Sequence, residues 1–388
     1  MKATTRILTT AAVGTLLAGG PLQLSAQAKQ PALSGTATLT VVATGLDNPR
    51  GITWAHNHLY VTQAGHGGTD CPAGAKGAEG GPLCVGLTGS LGILKAGVVQ
   101  PVLSHLFSMT DLPGGVASLG IANVTATTNG VRAVYAESVV GLLDSLPDKA
   151  ALTAQDNAAA RGQLGRLVTV SNKHSKVIAD VGDADYVWTA IHQRLVPKQF
   201  PDANANALAV LDHTTYVVDA GANTLDAVDE NGGVRQVAFF PNPPVRDAVP
   251  SCVAIGPDHK YLYIGQLSPG APLNGSKIFK YNIKSHRLSV WKSGFNVVDG
   301  CGFDMHGNFY AVEFQATGFN PGPTGSPAGD VIKIAPNGAR TVIGTGKLFY
   351  PQGFATDPSG NVYVDNWSIL TAAAPAPKPS GQIVKISM

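Results

Sequence analysis

The sequence predicts an all-β fold: a six-bladed β-propeller closed by an N-terminal strand, with loop and short helical insertions in the early blades. Three observations predict it. A strand–turn–strand unit ending on Tyr recurs along the chain. The composition favours turns over solvated helices, with 46 Gly and 26 Pro but only 13% charged residues. The last unit stops short of an outer strand, and the N-terminus carries one to spare.

The repeat justifies the blades in order. Its copies span 48–61, 206–217, 251–264, 299–311 and 352–364, with a weaker copy at 120–135. The Tyr anchors are Tyr60, Tyr135, Tyr216, Tyr263, Tyr310 and Tyr363. The last three spacings fall near the ~40–50 residues of a propeller blade. The first two are longer and demand insertions: the Gly-rich loop between Cys71 and Cys84, an Ala-rich stretch at 148–161 read as a short helix, and residues 183–201. Each unit continues into a further strand, at 89–94, 165–170, 223–228, 276–281, 329–334 and 381–386, with alternating or nearly alternating apolar residues. Nothing follows the sixth copy. Residues 39–44 are predicted to supply its outer strand, which removes the free sheet edges an open arrangement would leave.

The N-terminus predicts export. Lys2 and Arg6 precede an apolar run from Ile7 to Leu24, and Ala26-Gln27-Ala28 has the small-x-small form of a cleavage site. Residues 1–28 are read as a signal peptide and 29–388 as a single propeller domain, secreted or periplasmic. Without Lys2 and Arg6 the basic and acidic counts, 27 and 25, become equal. A neutral mature chain has no basic surplus for phosphates, so nucleic acid is not expected as a partner. No further segment is apolar enough to span a membrane, and a monomer is expected. In an exported chain the even set Cys71, Cys84, Cys252 and Cys301 reads as disulfides. Four cysteines allow three pairings. Closure of the 71–84 loop and a bridge between neighbouring blades through Cys252 and Cys301 suit the repeat.

The segments Asn48-Pro49-Arg50-Gly51, the Cys loop, 219–224 and Gly381-Gln382-Ile383 together resemble the ScyD/ScyE family of exported propeller proteins, over nearly the whole mature chain. The resemblance implies an NHL or SMP-30/gluconolactonase-like propeller and attaches no secure reaction. Where members commonly carry Ser-Asn-Pro-aromatic-Gly, this chain has Ala203-Asn204-Ala205-Asn206-Ala207.

In a propeller the inner strands begin around one mouth of the central channel, where ligands collect. The aligned repeats place Asn48, Asn123, Asn206, Ser251, Asp299 and Gln352 there. Asp299-Gly300-Cys301-Gly302-Phe303-Asp304 resembles a stretch of the gluconolactonase relatives, in which Asp, Asn and Glu hold a divalent cation. By that resemblance Asp299, Asn206 and Asn48 would hold calcium, with Asn48 standing where the relatives have Glu. One carboxylate with two amides is a weak set for a hard cation, and the same residue types cap strand ends and turns. A second ring, Gln63, Glu137, Asp219, Gln266, Glu313 and Asn366, either lines the channel or bonds across blades. His66, in a Gly-rich loop, is a catalytic candidate. The turn histidines His56, His58, His213, His259 and His306 read as solvated, and Trp54, Trp188, Trp291 and Trp367 as packing. Serine-hydrolase, zincin, phosphate-loop and haem signatures are absent from the sequence. The readings left are a binding or accessory propeller for a small molecule, glycan or protein, a calcium-dependent hydrolase or lyase at the channel mouth, and a purely structural envelope protein with no ligand.

Overall fold

The computed structural model describes residues 37–76, 82–111, 118–146, 152–195, 201–240, 248–320, 325–369 and 380–388. The expected signal peptide lies outside them. Each blade is an antiparallel sheet. Blade 1 runs outward through Pro49–Ala55, His58–Gln63, Leu83–Lys95, Val98–Asp111 and the short Ser118–Leu119. Blade 2 has Ile121–Thr127, Gly130–Tyr135, Arg166–Ser171 and His174–Asp180. Blade 3 has Ala205–Leu211, Thr214–Asp219, Thr224–Val228 and Val234–Phe239. Blade 4 has Pro250–Ile255, Tyr261–Gln266, Ser276–Asn282 and Leu288–Phe295. Blade 5 has Val297–Phe303, Phe309–Gln315, Ala328–Ile334 and Arg340–Phe349. Blade 6 has Phe354–Thr356, Val362–Asn366 and Gly381–Ser387, and its outer strand is Thr38–Leu46. That N-terminal strand pairs antiparallel with the last strand of the chain, Val41 opposite Val384, as the missing sixth outer strand required.

The inner strands contact one another in a ring, each touching the next and the last touching the first. The core is correspondingly divided. Among the described residues, one apolar cluster fills each interface between neighbouring blades. Strands near the middle of a blade are covered on both faces, so Phe309–Gln315 and Thr224–Val228 are buried throughout and lose alternation. The outer strand Leu288–Phe295 is wet on one side.

Local chemistry makes the hairpins. His56-Asn57 and Asn172-Lys173 both have positive φ at two consecutive residues, the geometry that two-residue loops between twisted strands need. The Ala-rich insertion forms the helix Ala154–Gln163, capped by Thr153, whose hydroxyl accepts from the Asp156 N–H at 3.1 Å. A second insertion helix, Val181–Ile191, begins at Asp180. Among the described residues, no helix is long and apolar enough to cross a membrane. Cys71 bonds to Cys84, and Cys252 to Cys301. The second bridge joins the inner strands of blades 4 and 5.

Candidate ligand site at the channel mouth

Near the start of five of the six inner strands, one or two residues escape pairing. In blade 3 Ala205 opposes Asp219 and Ala207 opposes Val218, which leaves Asn206 unpaired. The same slip skips Ser251 between Pro250 and Cys252, and Asp299 between Val298 and Gly300. It skips Ala122 between Ile121 and Asn123, and Arg50-Gly51 between Pro49 and Ile52. Gln352 holds the corresponding place just before the short inner strand of blade 6. Such a bulge turns its extra residue away from the ladder. Here the re-aimed side chains gather at the axis as Arg50, Ala122, Asn206, Ser251, Asp299 and Gln352.

Gly51 and Gly300 sit where adjacent inner strands nearly touch. A Cβ on Gly300 would collide with the Gln352 carbonyl, and one on Gly51 with Asn123. The freed backbone groups find side-chain partners. Gly51 N–H donates to Thr62 Oγ1 at 2.8 Å. Asp365 Oδ1 accepts from Gln352 N–H at 2.7 Å and Gly353 N–H at 3.0 Å.

Asn206, Asp299 and Gln352 come together as the sequence suggested. Asp299 bonds to the Asn206 and Gln352 side chains, while Asn206 Nδ2 also donates to the Ser251 carbonyl at 2.7 Å. Burial pushes the Asp299 carboxyl up to about 7, against the pull of Arg50 and the two amides. Asp365, fully buried, is pushed well above the usual carboxylate range, again by burial first. Ser251 is buried, and its hydroxyl donates to Val298 O at 2.5 Å; blade 4 therefore adds a backbone acceptor more than a free hydroxyl.

Two expected positions shift. Asn48 sits before the bulge and donates to Gly65 O at 2.7 Å and Ser118 Oγ at 3.3 Å, fastening a loop. Asn123 accepts from its neighbour Val124 N–H at 2.8 Å, and Ala122 takes the mouth position in its place. The residue missed in blade 1 is Arg50. Its guanidinium donates to Gln352 Oε1 at 3.2 Å and Ser118 O at 2.5 Å. A signal existed: Pro49-Arg50, Pro250-Ser251 and Pro351-Gln352 align on the proline, each behind a residue of positive φ, namely Asn48, Val249 and Tyr350.

These donors do not fit calcium. A hard dication wants several anionic oxygens, whereas the mouth offers Asp299, two amides and a guanidinium that repels it. Among the described residues, no group of three His, Cys, Asp or Glu side chains is placed to hold a metal.

Four of the six second-ring residues tie strand ends to the chain entering an inner strand, while the Gln266 amide donates to Ser268 Oγ. Gln63 Oε1 accepts from Asp47 N–H, Asp219 Oδ1 from Asn204 N–H, Glu313 Oε1 from Asn296 N–H and Asn366 Oδ1 from Phe349 N–H, at 2.6–2.8 Å. His66, exposed, pairs through Nδ1 with Asp47 Oδ2 at 2.5 Å. His56, His213, His259 and His306 are exposed and His58 half-buried. The four tryptophans each contact another aromatic ring.

No protein-family model matches the sequence, and no curated protein does either. Solved structures match its shape. A gluconolactonase from Xanthomonas campestris, 10% identical, aligns over 91% of this chain and 90% of its own with a TM-score of 0.52. The chain shares its propeller fold. A virginiamycin B lyase from Staphylococcus aureus, 14% identical, aligns over 91% and 99% with a TM-score of 0.46. A Bacteroides thetaiotaomicron protein of unknown function, 10% identical, aligns over 90% and 76% at 0.49.

Proposed function

We propose that this chain is an exported, ScyD/ScyE-like propeller that binds a small polar molecule at the channel mouth, without calcium. The carrying observation is Arg50, whose guanidinium shares the mouth with Asp299, Asn206 and Gln352. A side-chain cation there competes with any metal ion for Asp299, while the amides and the guanidinium offer a graded set of hydrogen bonds to a ligand. The two disulfides accord with an oxidising compartment.

Calcium-dependent hydrolysis or lysis is the competing function, and calcium itself separates the two. Millimolar calcium is expected to leave the melting temperature of the mature protein unchanged, and native mass spectrometry to find a co-purifying organic molecule that is lost in Asn206→Ala. A calcium-induced rise of several degrees, abolished by Asp299→Ala, would replace this reading with the metal-dependent one.

A further inference from the structure

Charge is uneven between the blades. Blade 4, Pro250–Phe295, carries Lys260, Lys277, Lys280, Lys284, Arg287 and Lys292 against a single acid, Asp258. Without that blade the chain's 27 basic and 25 acidic residues fall to 21 and 24, so a nearly neutral molecule keeps its basic surplus in one place. Among the described residues, none of the six cations is in an ion pair. Asp258 Oδ1 accepts from the Lys260 N–H of its own turn at 3.1 Å. Acids in the turns of the neighbouring blades are engaged as well, Glu230 with His213 at 2.7 Å and Asp304 with the N–H groups of His306 and Asn308.

The cations follow the outer part of the blade. Lys260, Lys284 and Arg287 are exposed, in turns joined by the Ile283 N–H, which donates to Lys260 O at 3.1 Å. Lys277 and Lys280 stand three residues apart on Ser276–Asn282, so they project from opposite faces of the sheet. Lys280 Nζ lies 3.7 Å from the centroid of the Tyr261 ring, and Lys292 Nζ 5.7 Å from that of Trp291. A ring beneath an ammonium group holds it in place and leaves its N–H groups for another acceptor.

This placement selects the partner. A small anion needs converging donors, and cations spread along a strand and its turns do not converge. A flat bilayer meets one face of a blade, whereas these cations occupy both. A linear polyanion can follow the edge and neutralise them in succession, releasing its counterions as it does so. The export proposed above then favours a carboxylated or sulfated polysaccharide over nucleic acid. We infer that the outer edge of blade 4 is a docking surface for an acidic polysaccharide, separate from the channel mouth.

Biolayer interferometry with immobilised polygalacturonate tests it, with the fully methyl-esterified polymer as the uncharged match. The protein is expected to bind the acid and not the ester, and to lose affinity steeply as salt rises from about 50 to 200 mM. The exposed triple Lys260→Gln/Lys284→Gln/Arg287→Gln is expected to keep the melting temperature and weaken binding about tenfold or more. The control Lys95→Gln/Lys173→Gln/Lys176→Gln removes the same charge from exposed sites on blades 1 and 2, and should bind as the parent does. Equal loss in the control would mean that net charge alone is being read, and would overturn the surface. Absence of binding to the acid, or equal binding of the ester, overturns it too. Tighter binding of oligothymidylate or of anionic phospholipid vesicles than of polygalacturonate overturns the polysaccharide as partner. None of these results touches the channel-mouth reading, which calcium and Asn206→Ala decide.

Discussion

Asp304 and Asp357 show how much a single side chain can organise in this protein. Asp304 Oδ1 accepts from the N–H groups of His306 and Asn308, each at 2.9 Å, while Oδ2 accepts from Asn308 Nδ2 at 2.7 Å and the Tyr310 hydroxyl at 3.0 Å. Asp357 repeats the pattern with Ser359, Asn361 and Tyr363. One carboxylate thus closes the turn and holds the Tyr anchor. Burial pushes both carboxyls upward, but these hydrogen bonds outweigh it and leave them below the usual range. A depressed folded pKa contributes stability above the unfolded value of about 4 and loses it as pH falls through the folded one. Asp304→Ala is therefore expected to cost on the order of 2 kcal/mol near neutrality, and to flatten the acid limb of urea-denaturation midpoints plotted against pH. Unchanged midpoints at pH 7 would remove the turn from the list of stabilising devices. This device was legible in the sequence as two Asp-x-x-Gly-Asn-x-Tyr runs. Arg50 was legible only through the shared proline of Pro49-Arg50, Pro250-Ser251 and Pro351-Gln352; aligning blades on Asn48 instead ignores the bulge that carries the mouth residue two positions on.

At the scale of an element, the helix Val181–Ile191 is the least expected piece. The anchor spacing demanded an insertion there, yet the segment has no apolar stripe to announce a helix. Val187 and Ile191 face solvent while Asp185 is fully buried. Hydrophobic periodicity therefore points the wrong way. Asp185 docks the helix on blade 3. Gln236 donates to its Oδ1 at 2.8 Å and Thr224 to its Oδ2 at 3.3 Å, and the buried Asp226 bonds to it directly. Two touching carboxyls cannot both ionise cheaply, so they share a proton. Burial first, then the mutual repulsion, pushes Asp185 well above the usual range; burial and the nearby Asp219 do the same to Asp226. A raised carboxyl contributes its full stability below about pH 4 and loses it as pH climbs through the folded value. Asp226→Asn keeps a neutral hydrogen-bonding group at every pH. The variant should match the wild type near pH 5 and melt above it at pH 9. An equal deficit at both values would mean that packing, and not a shared proton, holds the helix.

The whole molecule depends on closure, because among the described residues six of its eight buried apolar clusters are wedges between neighbouring blades. Every wedge needs two blades, so an open ring leaves two apolar faces uncovered. Sequence patterning revealed this through the unit lacking an outer strand, a feature independent of any side-chain detail. The strand that completes it, Thr38–Leu46, buries Ala43 and Leu46 against blades 1 and 6 and pairs along Gly381–Ser387 from Thr38–Ser387 to Leu46–Gly381. Deleting residues 1–46 should uncover that edge and the wedge beside it. Exposed edges recruit other strands, so the truncated protein is expected to self-associate in size-exclusion chromatography and to melt roughly 10 °C lower or more. A synthetic peptide of residues 37–47 supplied in trans should restore part of the loss, since it returns both the pairing and the buried side chains. The Cys252–Cys301 bridge cannot substitute for the strand, because it joins blades 4 and 5, away from the closure. A truncated chain that stays monomeric with the parental melting temperature would mean that the ring is held by its blade interfaces alone.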